Sequence, residues 1–243
     1  MSEPGSTNTV DQLLGHTKGP AEPVTDRDLT RARSSAYIVH GNFHELAQIC
    51  DDISTTGTII VEKGAEKTDV ENEVYRRVHN YVSSLYSYNE QIRSILNKRL
   101  KQHIRKGYFL PARDNKAAPD YVRRGTFLWG LRNDFQHGDY WCLRVRYEGT
   151  QNGTDCYQLY FQKRDFEATP KGDLDSAGDY LVHASDEDQQ YPLPYIGSFH
   201  RNLFSEFENA FEEWCDKTAP RSSRRVFVAQ VVLPIFQMTV SIF

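Results

Sequence analysis

The sequence predicts a mainly α-helical bundle with one appended β-hairpin, and three observations carry that prediction. First, between residues 70 and 104 apolar side chains recur every three or four positions, the period of a long amphipathic helix. Second, shorter segments on either side repeat that period and can supply partners for its apolar face, as a bundle requires. Third, the period changes to two on both sides of Asn152-Gly153, a pair that favours the type I′ turn of a tight hairpin.

The elements follow in order. Residues 1–25 are rich in Gly, Pro, Ser and Thr without periodicity, the composition expected of a disordered tail. Thr25 or Asp26 can cap a first helix reaching about Asp52, with Ile38, Leu46, Ile49 and Ile53 apolar and Gly41 a weak point. A turn at residues 54–57 follows. Thr68 and Asp69 offer caps to the long helix, whose stripe is Val70, Val74, Val78, Tyr81 or Val82, Leu85, Ile92, Leu96, Leu100 and Ile104, with an end near Gly107.

The two prolines and the turn residues of YFLPARDNKAAPD, 108–120, make a loop. A third helix starts at Asp120 or Tyr121 and buries Phe127, Leu128, Leu131 and Phe135 before Gly138. The hairpin occupies about 141–164, with Trp141, Leu143, Val145 and Tyr147 alternating on one arm and Tyr157, Leu159 and Phe161 on the other. An acidic loop spans about 169–194. Phe199, Leu203, Phe207, Phe211 and Trp214 then mark a fourth helix ending near Pro220. The domain is expected over 26–220, followed by an apolar segment, 221–243. Its VFVAQVVLPIF run is too short, and too interrupted by Gln230 and Pro234, to cross a bilayer, so it reads as a strand or docking element.

Composition excludes several classes. With 39% hydrophobic and 26% charged residues, the chain falls among ordinary globular proteins, long enough to bury a core without staples. Cys50, Cys142, Cys156 and Cys215 show no CxxC spacing, which removes zinc ribbons and thioredoxin-type redox pairs. Cys142 and Cys156, on the two hairpin arms, read as packed thiols. The polar start MSEPGSTNTVDQLLG is unlike a secretory signal, so a cytoplasmic setting with no membrane span is expected and Asn152-Gly153-Thr154 reads as a turn. His40 and His44 lie one turn apart, but Gly41 stands where a zincin needs Glu. Asp134, His137 and Asp139 gain no further converging ligand by spacing. No metal and no other cofactor is expected.

Residues 128–140, LWGLRNDFQHGDY, pack Arg132, Asn133, Asp134, Gln136 and His137 into six positions of an otherwise apolar stretch. The plain explanation is a solvated helix end in which Asp134 or Asp139 pairs with the arginine. The local charge suggests more. From Gln91 to Arg132 there are eleven Lys or Arg against two acids, Asp114 and Asp120, a balance of +9 in a chain of net charge −4. That charge, Lys98, Arg99, Arg105, Arg123 and Arg124 included, should gather at one end of the bundle and suit a polyanion. Tyr108, Phe109, Tyr121 and Trp129 are interleaved and could stack on bases.

The string Arg132-Asn133-Asp134-Phe135-Gln136-His137 resembles the signature of HEPN domains (higher eukaryotes and prokaryotes nucleotide-binding), an arginine, a polar residue and a histidine a few positions on. HNYVSSLYSYNE (79–90) and LRNDFQHG are similar to segments of HEPN-like bacterial proteins, and the resemblance spans roughly residues 34–216. Arg33 and His40 come near the same spacing, but Ser34 is the wrong polar neighbour and the position is the first helix.

The resemblance implies a helical bundle acting as a metal-independent endoribonuclease, with RNA as partner, in a toxin–antitoxin or anti-phage defence role, with an antitoxin or other regulator as a further expected partner. In it Arg132, Asn133 and His137 are catalytic, and Lys98, Arg99, Arg105, Arg123 and Arg124 hold RNA. Arg132 and His137, five apart, diverge by about 140° on an ideal helix, so a homodimer with a composite site is implied. The alternative is a non-catalytic HEPN module binding RNA, nucleotide or a protein partner. A purely structural scaffold is the third option.

Overall fold

The computed structural model describes residues 22–100, 143–162 and 189–205, together with Leu128, Leu131, Arg132, Phe135 and Gln136 and with Glu208, Asn209, Phe211, Glu212 and Cys215. These residues form a mostly helical body with a small antiparallel sheet, built around one apolar core. The expected tail to residue 21, the loop at 108–120, the stop at Gly138 and the segment 221–243 lie outside the described residues, as do Asn133, His137, Arg105, Arg123 and Arg124.

Helix α1, Asp26–Gln48, starts at a capping box: Thr25 and Asp28 satisfy each other's backbone N–H groups. Residues 22–25, placed by composition at the end of the tail, pack on the bundle instead. Val24 is buried, and the Glu22 N–H donates to the Arg99 carbonyl at 2.9 Å. The inward stripe of α1 is Ala32, Ala36, Val39 and Leu46. Ile38, expected inside, is 56% exposed, because it lies about 100° around the helix from Val39. The helix also stops four residues before Asp52. Asp52 then holds a turn, accepting from the N–H of Ser54 at 3.0 Å and the Thr55 hydroxyl at 2.6 Å, while Ile53 is buried in the core.

Strand β1, Ile59–Glu62, leads to α2, Lys67–Leu100. At 34 residues α2 is about 50 Å long. From Val70 to Leu96 its expected stripe is buried, with Tyr81 and Val82 both inside, while Ile104 and the expected end near Gly107 lie outside the described residues. Tyr88 and Ile95 join them, so the buried arc is wider than that of a surface helix and α2 is the central element.

Strands β2, Leu143–Gln151, and β3, Thr154–Gln162, form the expected hairpin. Its turn has φ 51° at Asn152 and 84° at Gly153, the two positive values a type I′ turn needs. Leu143, Val145, Tyr157, Leu159 and Phe161 face the core as expected, whereas Tyr147 is exposed. The hairpin is not an appendage. On the free side of β3, β1 pairs with residues 154–157 and the short strand β4, Gln189–Gln190, pairs with 161–162, sharing one lane. The Tyr75 hydroxyl donates to the Leu143 carbonyl at 2.8 Å, tying β2 to α2.

Pro192 opens α3, Pro192–Ser198, inside the stretch expected to be loop. It runs into a π-helical turn, Phe199–Phe204, and on to helical residues through Cys215. Gly197 is required where α3 crosses the turn after α1. A Cβ there would sit 2.6 Å from the Ile53 carbonyl oxygen.

Candidate functional site

Leu128, Leu131 and Phe135 are buried, as their spacing predicts, and set the orientation of Arg132 beside them. Arg132 is half-buried, and its guanidinium carbon lies 4.0 Å from the centre of the Tyr86 ring on α2. Two turns earlier on the long helix, His79 meets Phe135 edge-on at 5.7 Å. His79 and Tyr86 are seven apart and so share a face of α2. A guanidinium over a ring engages the ring through its face, and its N–H groups lie in the plane of the group.

The basic surface is smaller than the sequence suggests. Lys98 is exposed. Arg99, expected to hold RNA, is buried, with its side chain 9% exposed beside an Asp28 side chain at 8%. Its Nε donates to Asp28 Oδ2 at 2.9 Å, a terminal nitrogen bonds the same oxygen, and that nitrogen reaches Thr25 Oγ1 at 3.3 Å. Burial alone would raise the Asp28 carboxyl, but the hydrogen bonds from Thr25 and Arg99 together outweigh it and hold it below its usual range. Arg99 is thus a pin between α2 and the start of α1, and its charge is spent inside.

On the opposite side of α2 stands a cluster the sequence did not announce. Tyr81 and Tyr88 follow His79 and Tyr86 by two residues each, about 200° of rotation. There His40 of α1 meets His200 of the π turn, Nδ1 to Nε2, at 3.0 Å. His40 Nε2 lies 2.8 Å from Glu208 Oε2, and the Tyr81 hydroxyl lies 3.3 Å from His200 Nδ1. The His200 ring is stacked on Phe43 at 3.8 Å and on Phe204 at 5.1 Å, nearly parallel to both. Burial, then the nearby His40 and Arg201, press the His200 imidazole down to about 3 from its ordinary 6.5.

A carboxylate accepts, so His40 Nε2 carries the hydrogen towards Glu208. The rest of the hydrogen-bonded chain has two directions: His200 Nε2–H donates to His40 Nδ1 and the Tyr81 O–H to His200 Nδ1, or His40 Nδ1–H donates to His200 Nε2 and His200 Nδ1–H to the Tyr81 oxygen. Two turns earlier on α1, Arg33 Nε donates to Glu212 Oε1 at 2.9 Å, so Arg33 and His40 engage Glu212 and Glu208, two of the helical residues after the π turn. With both of its nitrogens bonded, His40 has none left for a substrate. His44 bonds Gln48 at 3.1 Å, away from His40. Among the described residues no three His, Cys, Asp or Glu side chains are grouped to hold a metal ion.

Comparison with family models, curated proteins and solved structures finds no match for this chain. The geometry and the motif therefore carry the functional argument alone. Among the described residues no helix is long and apolar enough to cross a membrane. His200 escaped notice because it sits in FHRNLF, between two aromatic residues of the core stripe. The available signal was the pairing of spacings: Arg33 and His40 two turns apart on one helix, Glu208 and Glu212 one turn apart on another.

Proposed function

We propose that this protein is a HEPN-type endoribonuclease, cleaving RNA without a metal ion in a toxin or defence setting. Attack by a ribose 2′-hydroxyl on the adjacent phosphate would be assisted by His137 as general base, or His137 would protonate the leaving 5′-oxygen. Arg132 stabilises the charge on the pentavalent phosphorus, and Asn133 orients the phosphate or the imidazole. The nucleophile confines the substrate to RNA and leaves a 2′,3′-cyclic phosphate.

The observation that carries this reading is the setting of Arg132. It is half-open to solvent, with its guanidinium carbon 4.0 Å from the centre of the Tyr86 ring, and its neighbours Leu128, Leu131 and Phe135 are buried in the core. An arginine held by its face is preorganised to present its rim to a phosphate. Exposed Lys98 and the net positive charge of residues 91–132 supply the attraction. On an ideal helix Arg132 and His137, five apart, would diverge by about 140°, so two subunits would each lend one pair to a shared cleft.

The test is a cleavage assay in chelator on purified wild type, Arg132→Ala and His137→Ala, alongside sedimentation to fix the subunit number. Cleavage by wild type and its loss in both variants supports the enzyme. RNA binding that survives in all three without cleavage replaces it with the non-catalytic module. Activity undiminished in His137→Ala ends the proposal.

A further inference from the structure

Helix α1 turns one face to α2 and the other to solvent. It meets α2 through Arg77, Tyr81 and Arg99, on the side of that helix turned away from Tyr86 and Arg132. Its outer face is a single line, Arg27, Arg31, Ser34, Ile38, Gly41 and Glu45, spaced alternately by four and three residues, and all six are exposed. Such spacing keeps a line straight along a helix and is the seam by which one helix packs on another. Two of the three large exposed hydrophobic side chains among the described residues stand side by side at its middle, Tyr37 at 75% and Ile38 at 56%.

Gly41 has no packing role within one copy. Glycine in a helix interior costs stability relative to alanine, and a side chain there would meet nothing within 4 Å. A bare backbone does permit a second helix to come close. The charges of the line lie in halves. Arg27 and Arg31 stand in the first half, with no ion pair or hydrogen bond on either side chain among the described residues. Glu45 stands in the second, 3.8 Å from Arg76 in a pair whose two side chains are about half exposed. An occupant of this face must offer an acid to Arg31 and a cation to Glu45, around an apolar centre and a close crossing. The same helix, reversed, offers all of these.

We propose that the outer face of α1 binds the same face of a second copy, the two helices running antiparallel about a two-fold axis between positions 37 and 38. Tyr37 then packs on Ile38 of the second copy, and Ser34 faces Gly41 of the second copy where the backbones come closest. Arg31 lies beside Glu45 of the second copy, and Arg27 opposite Gln48. The symmetry makes each contact twice, as in any self-complementary pairing. Because α1 and Arg132 lie on opposite sides of α2, this pairing leaves both Arg132 faces open and is separate from the shared cleft of the ribonuclease reading.

Sedimentation equilibrium of the full-length protein from about 1 to 100 µM tests this. Wild type is expected to self-associate, and Ile38→Glu and Gly41→Gln each to weaken the association about tenfold or more. Both positions are exposed, so circular dichroism should show an unchanged fold. Arg31→Glu should weaken the association by a similar factor, and adding Glu45→Arg to Arg31→Glu should restore it to within about threefold of wild type. A mixture of Ser34→Cys and Gly41→Cys chains should form a disulfide between copies, located by peptide mass spectrometry. A monomeric wild type, or a charge reversal that Glu45→Arg does not rescue, overturns the pairing. So does an association unmoved by Ile38→Glu and Gly41→Gln; a dimer resting on the Arg132 side alone would behave in that way and leave the ribonuclease reading intact. If a variant fails to fold, the disulfide still decides, and its absence counts against the pairing.

Discussion

Replacing Arg99 by Met tests whether this arginine is an internal pin or a surface contact. The substitution keeps the length of the side chain and removes its charge. Asp28 would then remain buried, 6% exposed, with its carboxylate facing a thioether. Breaking a buried pair from one side costs about 3–5 kcal/mol, because the surviving charge is stranded. Asp28 also closes the capping box with Thr25, and disturbing that cap adds about 1 kcal/mol. A loss of about 4 kcal/mol in urea unfolding at pH 7 is expected, a large share of the stability of a domain this size.

Asp28→Asn combined with Arg99→Met removes both charges and should recover about 2 kcal/mol or more of the single-mutant loss. The pH dependence has a definite sign. Since the Asp28 carboxyl is held below its ordinary value of 3.8, the pair stabilises the wild type above that value, and the contribution fades as pH falls through the lowered one. The Arg99→Met penalty should therefore shrink in acid. A penalty under about 1 kcal/mol at pH 7, or one that grows towards pH 3, would refute the reasoning. In the RNA-binding arm, folded Arg99→Met should keep the wild-type salt dependence, whereas Lys98→Ala should lower the slope by about 1 if Lys98 contacts a phosphate.

Three further outcomes are expected. The His200 value of about 3, against an ordinary 6.5, makes stability full above pH 6.5 and steadily lost as pH falls towards 3, by at most about 5 kcal/mol; His200→Phe should flatten that acid limb in calorimetry. Gly197→Ala should cost about 2 kcal/mol or more in urea unfolding, since the added methyl meets backbone of Ile53 and Ser54 rather than a side chain that can swing away. Tyr86→Leu removes the platform under Arg132 without touching the proposed phosphate site, and should slow RNA cleavage by about threefold to thirtyfold, the worth of a cation–π contact; an unchanged rate would show that the stack does not position Arg132.

The helices were legible because their apolar residues repeat at a period only a helix makes contiguous, and α2 shows this best, from Val70 to Leu96. The hairpin was legible from Asn152-Gly153 and from Leu143, Val145, Leu159 and Phe161. What escaped depends on distant partners. Ile59 to Glu62 is four residues long, too short for periodicity, and becomes a strand only because residues 154–157 of β3 offer an open edge. Ile38 was placed inside because hydropathy carries no information about angle unless the helical phase is fixed. Arg99 looked like one more charge in a basic run, and only the fold shows Asp28, 71 residues earlier, waiting for it. His200 likewise needs His40, Tyr81 and Glu208, from three other elements.

At the candidate site the apolar spacing gave the buried neighbours of Arg132, namely Leu128, Leu131 and Phe135, and the structure adds Tyr86 beside its guanidinium. The most direct measurement of the central claim uses an RNA oligonucleotide cut by the wild-type protein in chelator, remade with a single 2′-deoxyribose at the nucleotide preceding the cut. The account expects cleavage there to cease, other sites to persist, and the unmodified substrate to yield a 2′,3′-cyclic phosphate in a reaction that needs both Arg132 and His137. Continued cutting at the deoxy position, or a 5′-product end bearing phosphate, would contradict it.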